Sequence, residues 1–375
     1  MIYEKKKIIL SANTSWYLYN FRRPLLMALL ARGYRVHALA PEDAYAAKLR
    51  DLGIKLIPIE ITRSGVNPFA DIALLARFVS IYRHYRPDIV QHFTVKPVIY
   101  GTLAAHVSGV DKIYNMVPGM GYVFTGTSLK KFWVQRIVRL LYKSTLNLSS
   151  HVFFQNHDDR DYFLRYNLVT EGKTSIVHGT GVDTEKFRPR AKKRDRGVTF
   201  IMAARMLWDK GIGEHVAAAR VLKQRHRNVR FWLLGPVDME NPKGIKLEQL
   251  KNWNKEGVVE YLGMTDNIRS YLSRADVIVL PSYYREGIPL SLLEGAAMAM
   301  PIITTDSPGC REVVMNGKNG FLVPARDPAA LAAAMEQFLA EPALVARMGR
   351  ESRKLAVTRF DSRLVIKGIL KYYPR

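Results

Sequence analysis

The sequence predicts two doubly wound α/β domains in succession, each a parallel sheet with helices packed against it. Three observations carry this. Short β-rich apolar runs alternate with helical patterns along the whole chain, the signature of βαβ units with right-handed crossovers. The alternation breaks once, at Phe187–Arg196 (FRPRAKKRDR), a charged and proline-bearing stretch that reads as a linker. The length, 375 residues, suits two domains at ~100–200 residues each.

Taken in order, Lys7–Ala12 (KIILSA), Tyr34–Ala40 (YRVHALA), Ile54–Ile59 and Asp88–His92 (DIVQH) read as buried strands. Phe21–Arg32 and Phe69–Tyr85 between them read as helices. Arg86-Pro87 ends the second, because the residue before a proline avoids the α region. After the linker, Val198–Ala203, Val229–Gly235, Val258–Gly263, Asp276–Pro281 and Pro301–Thr305 supply strands of a second open sheet. Phe360–Tyr373 is helical in pattern. The expected division is 1–190, 191–358 and a C-terminal helix, 359–375, that packs on the first domain. Open α/β sheets bind ligands outside the carboxyl ends of their strands. Two such sheets facing a common cleft suit an enzyme that joins two substrates, although topology alone also allows a single-substrate binding protein.

Composition narrows the class. Hydrophobic residues at 48% and charged residues at 24% exclude a disordered or fibrous chain. The lone cysteine, Cys310, excludes a disulfide framework and a thiolate metal cluster. No run of about 18 apolar residues predicts a membrane-spanning helix, and MIYEKKKIILSANTSW is too short and too soon polar for a signal peptide. The charge is the odd feature: 57 Lys+Arg against 33 Asp+Glu, a balance of +24. Residues 1–195 carry +15 of it and residues 196–375 carry +9. Such an excess fits nucleic acid, an anionic membrane, a phosphate-bearing substrate or a plain solvated surface. The basic residues are dispersed, with no zinc-finger, helix-turn-helix or aromatic RNA-binding signature, so nucleic acid is not an expected partner.

Two constellations carry chemistry. Glu286-Gly-Ile-Pro-Leu-Ser-Leu-Leu-Glu294 directly follows the strand DVIVLPS. Pro289 fits a first helical turn, where its missing N–H costs nothing. Glu286 and Gly287 then lie on the strand-to-helix loop, with Glu294 about one and a half turns further on. Carboxylates accept paired hydrogen bonds from the vicinal diols of a sugar or ribose, and the helix N-terminus favours a diphosphate. Ala203-Ala-Arg205-Met-Leu-Trp-Asp-Lys210-Gly211 follows the first strand of the second domain. Arg205 and Lys210 are suited to clamping a diphosphate. For either group, exposed surface charge is the plain alternative.

Glu286–Glu294 with the preceding LPSYYREG, the pair Arg205/Lys210, LLG at Leu233–Gly235, YLG at Tyr261–Gly263 and GVDTEKFRP at Gly181–Pro189 together resemble the retaining GT-B glycosyltransferases of family 4. The resemblance implies that Arg205 and Lys210 hold the donor diphosphate and that Glu286, with Gly287, contacts the donor sugar. It gives Glu294 the nucleotide ribose and Gly263 and Met264 the nucleobase border, with Ile288, Pro289 and Leu290 completing the donor site. It further implies a UDP-sugar donor, retention of configuration, no protein nucleophile and no cofactor or metal. No Asp-x-Asp pair stands at a strand end.

The acceptor is expected on the first domain. Its first strand runs into SANTSWYLYNFRRP, where Asn13, Thr14, Ser15, Tyr19 and Arg22 form a polar, aromatic and basic strand-end loop. Lys96 after the fourth strand, with Gly119 and Tyr122 after the fifth, are expected on the same side. The family's histidine after that fifth strand is replaced by VPGMG, and His92 reads as structural. Ser128–Lys143 is a basic helix with Phe132 and Trp133. It fits a bilayer interface or, equally, a core-packed domain helix.

Within the family the SANTSWYLYNFRRP start, GYVFTG at Gly121–Gly126 and PEDAYAAKLRDLGIKL at Pro41–Leu56 resemble most the transferases that extend polyprenyl-diphosphate-linked sugars, including those of bacterial N-glycan assembly. The expected reaction adds N-acetylgalactosamine, α-1,3, to an undecaprenyl-diphosphate-linked sugar such as diacetylbacillosamine. The expected place is the cytoplasmic face of the inner membrane, bound peripherally to its anionic surface. Lipopolysaccharide or capsule transferases with another hexose share much of the pattern. A nucleotide-sugar epimerase and a pyridoxal-dependent phosphorylase are more distant readings.

Overall fold

The computed structural model describes residues 5–62, 67–120, 129–189 and 197–374, leaving aside the side chains of residues 129–131. The chain divides into two compact units, Met1–Thr180 with Ile366–Arg375, and Gly181–Val365. The division falls at Gly181, not in the charged stretch. Val182 and Phe187 are buried in the second unit's core, so the chain is already part of that unit at the residue where the charged stretch begins.

The first unit has seven strands, β1 (Lys7–Ser11), β2 (Arg35–Ala40), β3 (Lys55–Pro58), β4 (Ile89–Phe93), β5 (Lys112–Val117), β6 (His151–Phe154) and β7 (Thr174–Ile176). They pair in the order β3-β2-β1-β4-β5-β6-β7, parallel throughout. Its helices are α1 (Ser15–Ala31), α2 (Ala46–Asp51), α3 (Pro68–Tyr85), α4 (Thr102–Val107), α5 (Leu129–Leu146) and α6 (His157–Arg165). All five residues of β4 are buried, as a strand covered on both faces requires.

Helix α1 begins at Ser15, six residues before the sequence suggests. Extended Thr14 caps it, its hydroxyl accepting from the Tyr17 N–H at 3.0 Å. Pro24, which argues for a first turn, lies inside the helix. Ser15, Tyr19 and Arg22 are therefore helical residues, not loop residues. Asn67 caps α3, accepting from Phe69 and Ala70 N–H at 3.1 and 3.3 Å. Arg86, ahead of Pro87, ends it in the left-handed region at φ 46°.

The second unit has β8 (Val198–Ala203), β9 (Val229–Leu234), β10 (Glu260–Tyr261), β11 (Val277–Leu280), β12 (Ile302–Thr305) and β13 (Gly320–Val323). Their order is β10-β9-β8-β11-β12-β13, again all parallel. The helices are α7 (Ile212–Arg225), α8 (Leu247–Lys255), α9 (Ile268–Leu272), α10 (Leu290–Ala297), α11 (Pro328–Ala340) and α12 (Ala343–Leu355). In both sheets the order reverses beside a central strand, β1 against β4 and β8 against β11, the arrangement that opens a crevice at carboxyl strand ends.

Helix α13 (Ser362–Leu370) leads the chain back to the first unit. There the Tyr373 hydroxyl donates to Gln91 Oε1 at 2.5 Å. Its ring stacks on Tyr114 at 4.5 Å, and Tyr372 stacks on His151 at 3.8 Å. Among the described residues no single helix is long and apolar enough to cross a membrane. The bent pair Pro328–Ala340 and Ala343–Phe360 meets that test on length and composition alone, and its Leu331, Met335, Phe338 and Met348 lie in the second unit's core.

Candidate active site

In the second unit the loops after β8 and β11 are fastened together by their backbones. Gly211 has φ 82°, and a Cβ there would stand 2.1 Å from the Pro281 carbonyl oxygen. The Asp209 carbonyl accepts from the Tyr283 and Tyr284 N–H groups at 3.1 and 3.2 Å. From the other side Gly309, φ 79°, approaches so closely that a Cβ would lie 1.4 Å from the Gly287 oxygen. Ser307 Oγ donates to the Ser282 carbonyl at 3.0 Å. Only glycine tolerates both the left-handed backbone and the crowding at these two points.

This fastening brings Lys210 and Glu286 together as an ion pair, with side chains only 12% and 13% exposed. Ser282 Oγ also donates to Glu286 Oε1, at 3.0 Å. Arg205, the other expected clamp residue, pairs with Asp238 at 3.1 Å in a more open setting. Sequence reading missed Asp238: it sits in the irregular loop after β9, where no motif marks it. Asp209 was missed too, since its backbone oxygen, not its carboxylate, does the fastening.

Glu294 is buried within α10. Burial pushes its carboxyl up to about 8, although the Lys186 ammonium pulls the other way. Ile288 and Pro289 are buried beneath the loop, and Leu290 is half-buried. Pro289 is not in the first turn: its ψ of 121° makes it the residue before the helix, which starts at Leu290. At the neighbouring strand ends, left-handed Gly263 (φ 72°) accepts from the Gly235 N–H at 2.8 Å. Met264 beside it is exposed.

In the first unit a cavity of about 190 Å³ opens at the carboxyl ends of β1, β4 and β5. Asn13, Lys96 and Gly119 of the expected acceptor residues line it, with Thr94, Val98 and Met116. Lys96 Nζ is held by Thr62 Oγ1 at 2.6 Å and Asp71 Oδ1 at 2.8 Å. Thr14, Ser15, Tyr19 and Arg22 do not line it. Ser15 donates to the Pro41 carbonyl at 2.6 Å, and Tyr19 packs on Tyr45. Arg22, 2% exposed, donates to the Tyr17 hydroxyl at 2.6 Å and lies over the Phe93 ring at 4.6 Å. Tyr122 lies outside the described residues. His92 is locked between the Tyr82 hydroxyl and Asn115 Oδ1, both at 2.9 Å, and burial lowers its pKa to about 4.

Residues 7–156 match the family model "Glycosyl transferase 4-like" and residues 183–355 match "Glycosyl transferases group 1". The chain belongs to the family 4 glycosyltransferases. It is similar, at 29% identity over 96% of both chains, to the N,N'-diacetylbacillosaminyl-diphospho-undecaprenol alpha-1,3-N-acetylgalactosaminyltransferase of Campylobacter jejuni. A UDP-Gal:alpha-D-GlcNAc-diphosphoundecaprenol alpha-1,3-galactosyltransferase of Escherichia coli is 24% identical over 78% of this chain and 77% of its own. The GT-B fold is shared with a glycosyltransferase structure from Rickettsia africae, with TM-score 0.79 at 19% identity over 99% and 98% of the two chains. In this glycosyltransferase the second family match begins at residue 183, close to Gly181, where the units divide.

Proposed function

We propose that this glycosyltransferase moves a sugar from a UDP-sugar to a sugar linked to undecaprenyl diphosphate, retaining anomeric configuration and using no metal or other cofactor. N-acetylgalactosamine in α-1,3 linkage is the first choice, with diacetylbacillosamine as the acceptor sugar; a different hexose in lipopolysaccharide or capsule assembly is the second. The observation that carries the reading is the shielded Lys210–Glu286 pair on two loops fastened by Gly211 and Gly309. The Campylobacter relative's name supplies the substrate class.

In this reading Lys210 and Arg205 exchange their carboxylate partners for the donor diphosphate and stabilise the charge that grows on it as the glycosidic bond breaks. Glu286, released from Lys210, accepts hydrogen bonds from the donor sugar's hydroxyls. Glu294 meets the ribose hydroxyls, and the backbone around Gly263 and Met264 borders the base. A donor phosphate oxygen takes the proton from the acceptor hydroxyl, so no side chain need act as nucleophile or base.

The acceptor is a membrane lipid, and α5 gives the first unit a surface suited to one. Phe132, Trp133, Ile137 and Leu140 are exposed, Trp133 to 56% and Leu140 to 67%. Arg136 and Lys143 are exposed beside them. This supports peripheral attachment to the anionic cytoplasmic face of the inner membrane.

Lys210→Ala should lower transfer at least about 100-fold, a loss typical of removing one charge-stabilising group. Glu286→Ala should lower it through the lost contact with the donor sugar, and both variants should keep the circular dichroism melt. Transfer at the wild-type rate by either variant would refute the donor-site assignment.

A further inference from the structure

Thr94 is out of place on ordinary grounds. It follows β4 directly, and its backbone adopts φ 66°, a conformation that β-branched residues rarely take. Its hydroxyl is buried with no hydrogen-bond partner among the described residues. Both features cost stability, and neither helps the strand, which already ends at Phe93. Strain of this kind concentrates where a ligand is gripped.

The orphaned hydroxyl lies at a cavity of mixed character. Val98, Met116 and Val117 give it an apolar wall, while Asn13 and Lys96 stand with Thr94 at its polar side. Lys96 is fixed there by Asp71 and Thr62. A phosphate would find one already paired cation and an apolar wall, a poor match. A bare hydroxyl would leave the apolar wall facing water. An acetamido group satisfies both sides: its carbonyl accepts from a hydroxyl donor, its N–H finds an amide oxygen, and its methyl needs apolar contact.

We infer that this cavity is the subsite for an acetamido substituent of the acceptor sugar, with Thr94 Oγ1 donating to the acetyl carbonyl, the Asn13 side-chain amide facing its N–H, and Val98 and Met116 enclosing the methyl. The inference rests on the acceptor reading proposed above and deepens it: the enzyme selects an N-acetylated amino sugar and reads the acetyl group in its first unit. Thr94 and Asn13 are specificity-determining residues.

The test compares two acceptors that differ only at this group, undecaprenyl-diphosphate-linked N-acetylglucosamine and the same lipid carrying glucose, with the full-length enzyme and a panel of UDP-sugars. The wild type should favour the acetamido acceptor by about 10²-fold in kcat/KM, as a pocket with one hydrogen bond and one methyl contact allows. Thr94→Gly removes the hydroxyl while accepting the positive φ, so it should fold, and it should bring the preference to within about threefold. Thr94→Ser, which keeps the hydroxyl, should restore most of it. Val98→Phe, which fills the cavity, should act like Thr94→Gly. Transfer to both lipids with equal efficiency by the wild type, or an unaltered preference in Thr94→Gly and Val98→Phe, would overturn the subsite and leave the transferase reading standing. No transfer to either lipid, with UDP-sugar hydrolysis still measurable, would overturn the acceptor reading and the subsite with it.

Discussion

Arg205 and Lys210 each carry a carboxylate partner, but the two pairs differ in how much solvent reaches them. The Arg205–Asp238 pair is half-open, and such pairs hold at most about 1 kcal/mol. Asp238→Asn should therefore tighten UDP-sugar binding by no more than about fivefold, measurable by calorimetry. Glu294 supplies a pH signature. Its folded-state pKa is raised to about 8, so the folded protein holds a proton that the unfolded chain gives up near the ordinary carboxylate value. Stability from this group is therefore greatest in acid and falls as pH rises toward 8. Glu294→Gln, which cannot ionise, should flatten that fall, and melting curves of both proteins between pH 5 and 9 will show it. A wild-type Tm that climbs steadily across this range, with no difference from the variant, would contradict the assigned burial. Lys210 and Glu286 were legible because the motif fixes their types and spacing. Asp238 and Thr94 were not: one depends on where an irregular loop goes, the other on a backbone angle.

The strand-end loops act as units, and their glycines set the tolerance. Gly211→Ala adds a methyl into the Pro281 carbonyl at a left-handed residue. It should destabilise the second unit by about 1–3 kcal/mol and reduce transfer with it, read by denaturant melts and initial rates. Helix α5 shows what a linear pattern conceals. The spacing picks out Leu129, Phe132, Trp133, Ile137, Leu140 and Leu141 as one apolar stripe, but a second apolar face lies behind it. Phe132, Trp133, Ile137 and Leu140 face outward, while Val138 and Tyr142 are buried. Arg139, another cation of this basic helix, lies over the Tyr166 ring at 4.3 Å. Arg136→Gln with Lys143→Gln should weaken binding to phosphatidylglycerol vesicles by about 1 kcal/mol per charge. Arg139→Gln should change it less. Equal losses at all three positions in a sedimentation assay would argue against the outward face as the contact. β1 to β4, β8, β9, β11 and β12 lie within a residue of where the sequence puts them; β5, β6, β7 and β13 received no bounds from sequence. Of the strands that did, β10 is the exception, only two residues long where six were expected, because the apolar run around it supplies loop and core contacts as well as ladder.

At the scale of the whole molecule, alternation was enough to give two parallel sheets, since βαβ periodicity is a local signal repeated many times. The boundary was less legible, because a charged, proline-bearing stretch looks like a linker whether or not its first residues are buried. Ownership of the last ten residues depends on contacts between positions hundreds of residues apart, such as Tyr373 with Gln91. A chain ending at Val365 should lower the melting temperature of the first unit, by about 2–4 °C for each kcal/mol it loses. Far-ultraviolet and tyrosine signals followed together would detect this. The same arrangement orders events during synthesis. The second unit is continuous from Gly181 to Val365 and can close as soon as it leaves the ribosome. The first unit is translated earlier, yet Tyr114, His151 and Gln91 must wait for the final aromatic residues. The part of the enzyme made first is thus the part completed last.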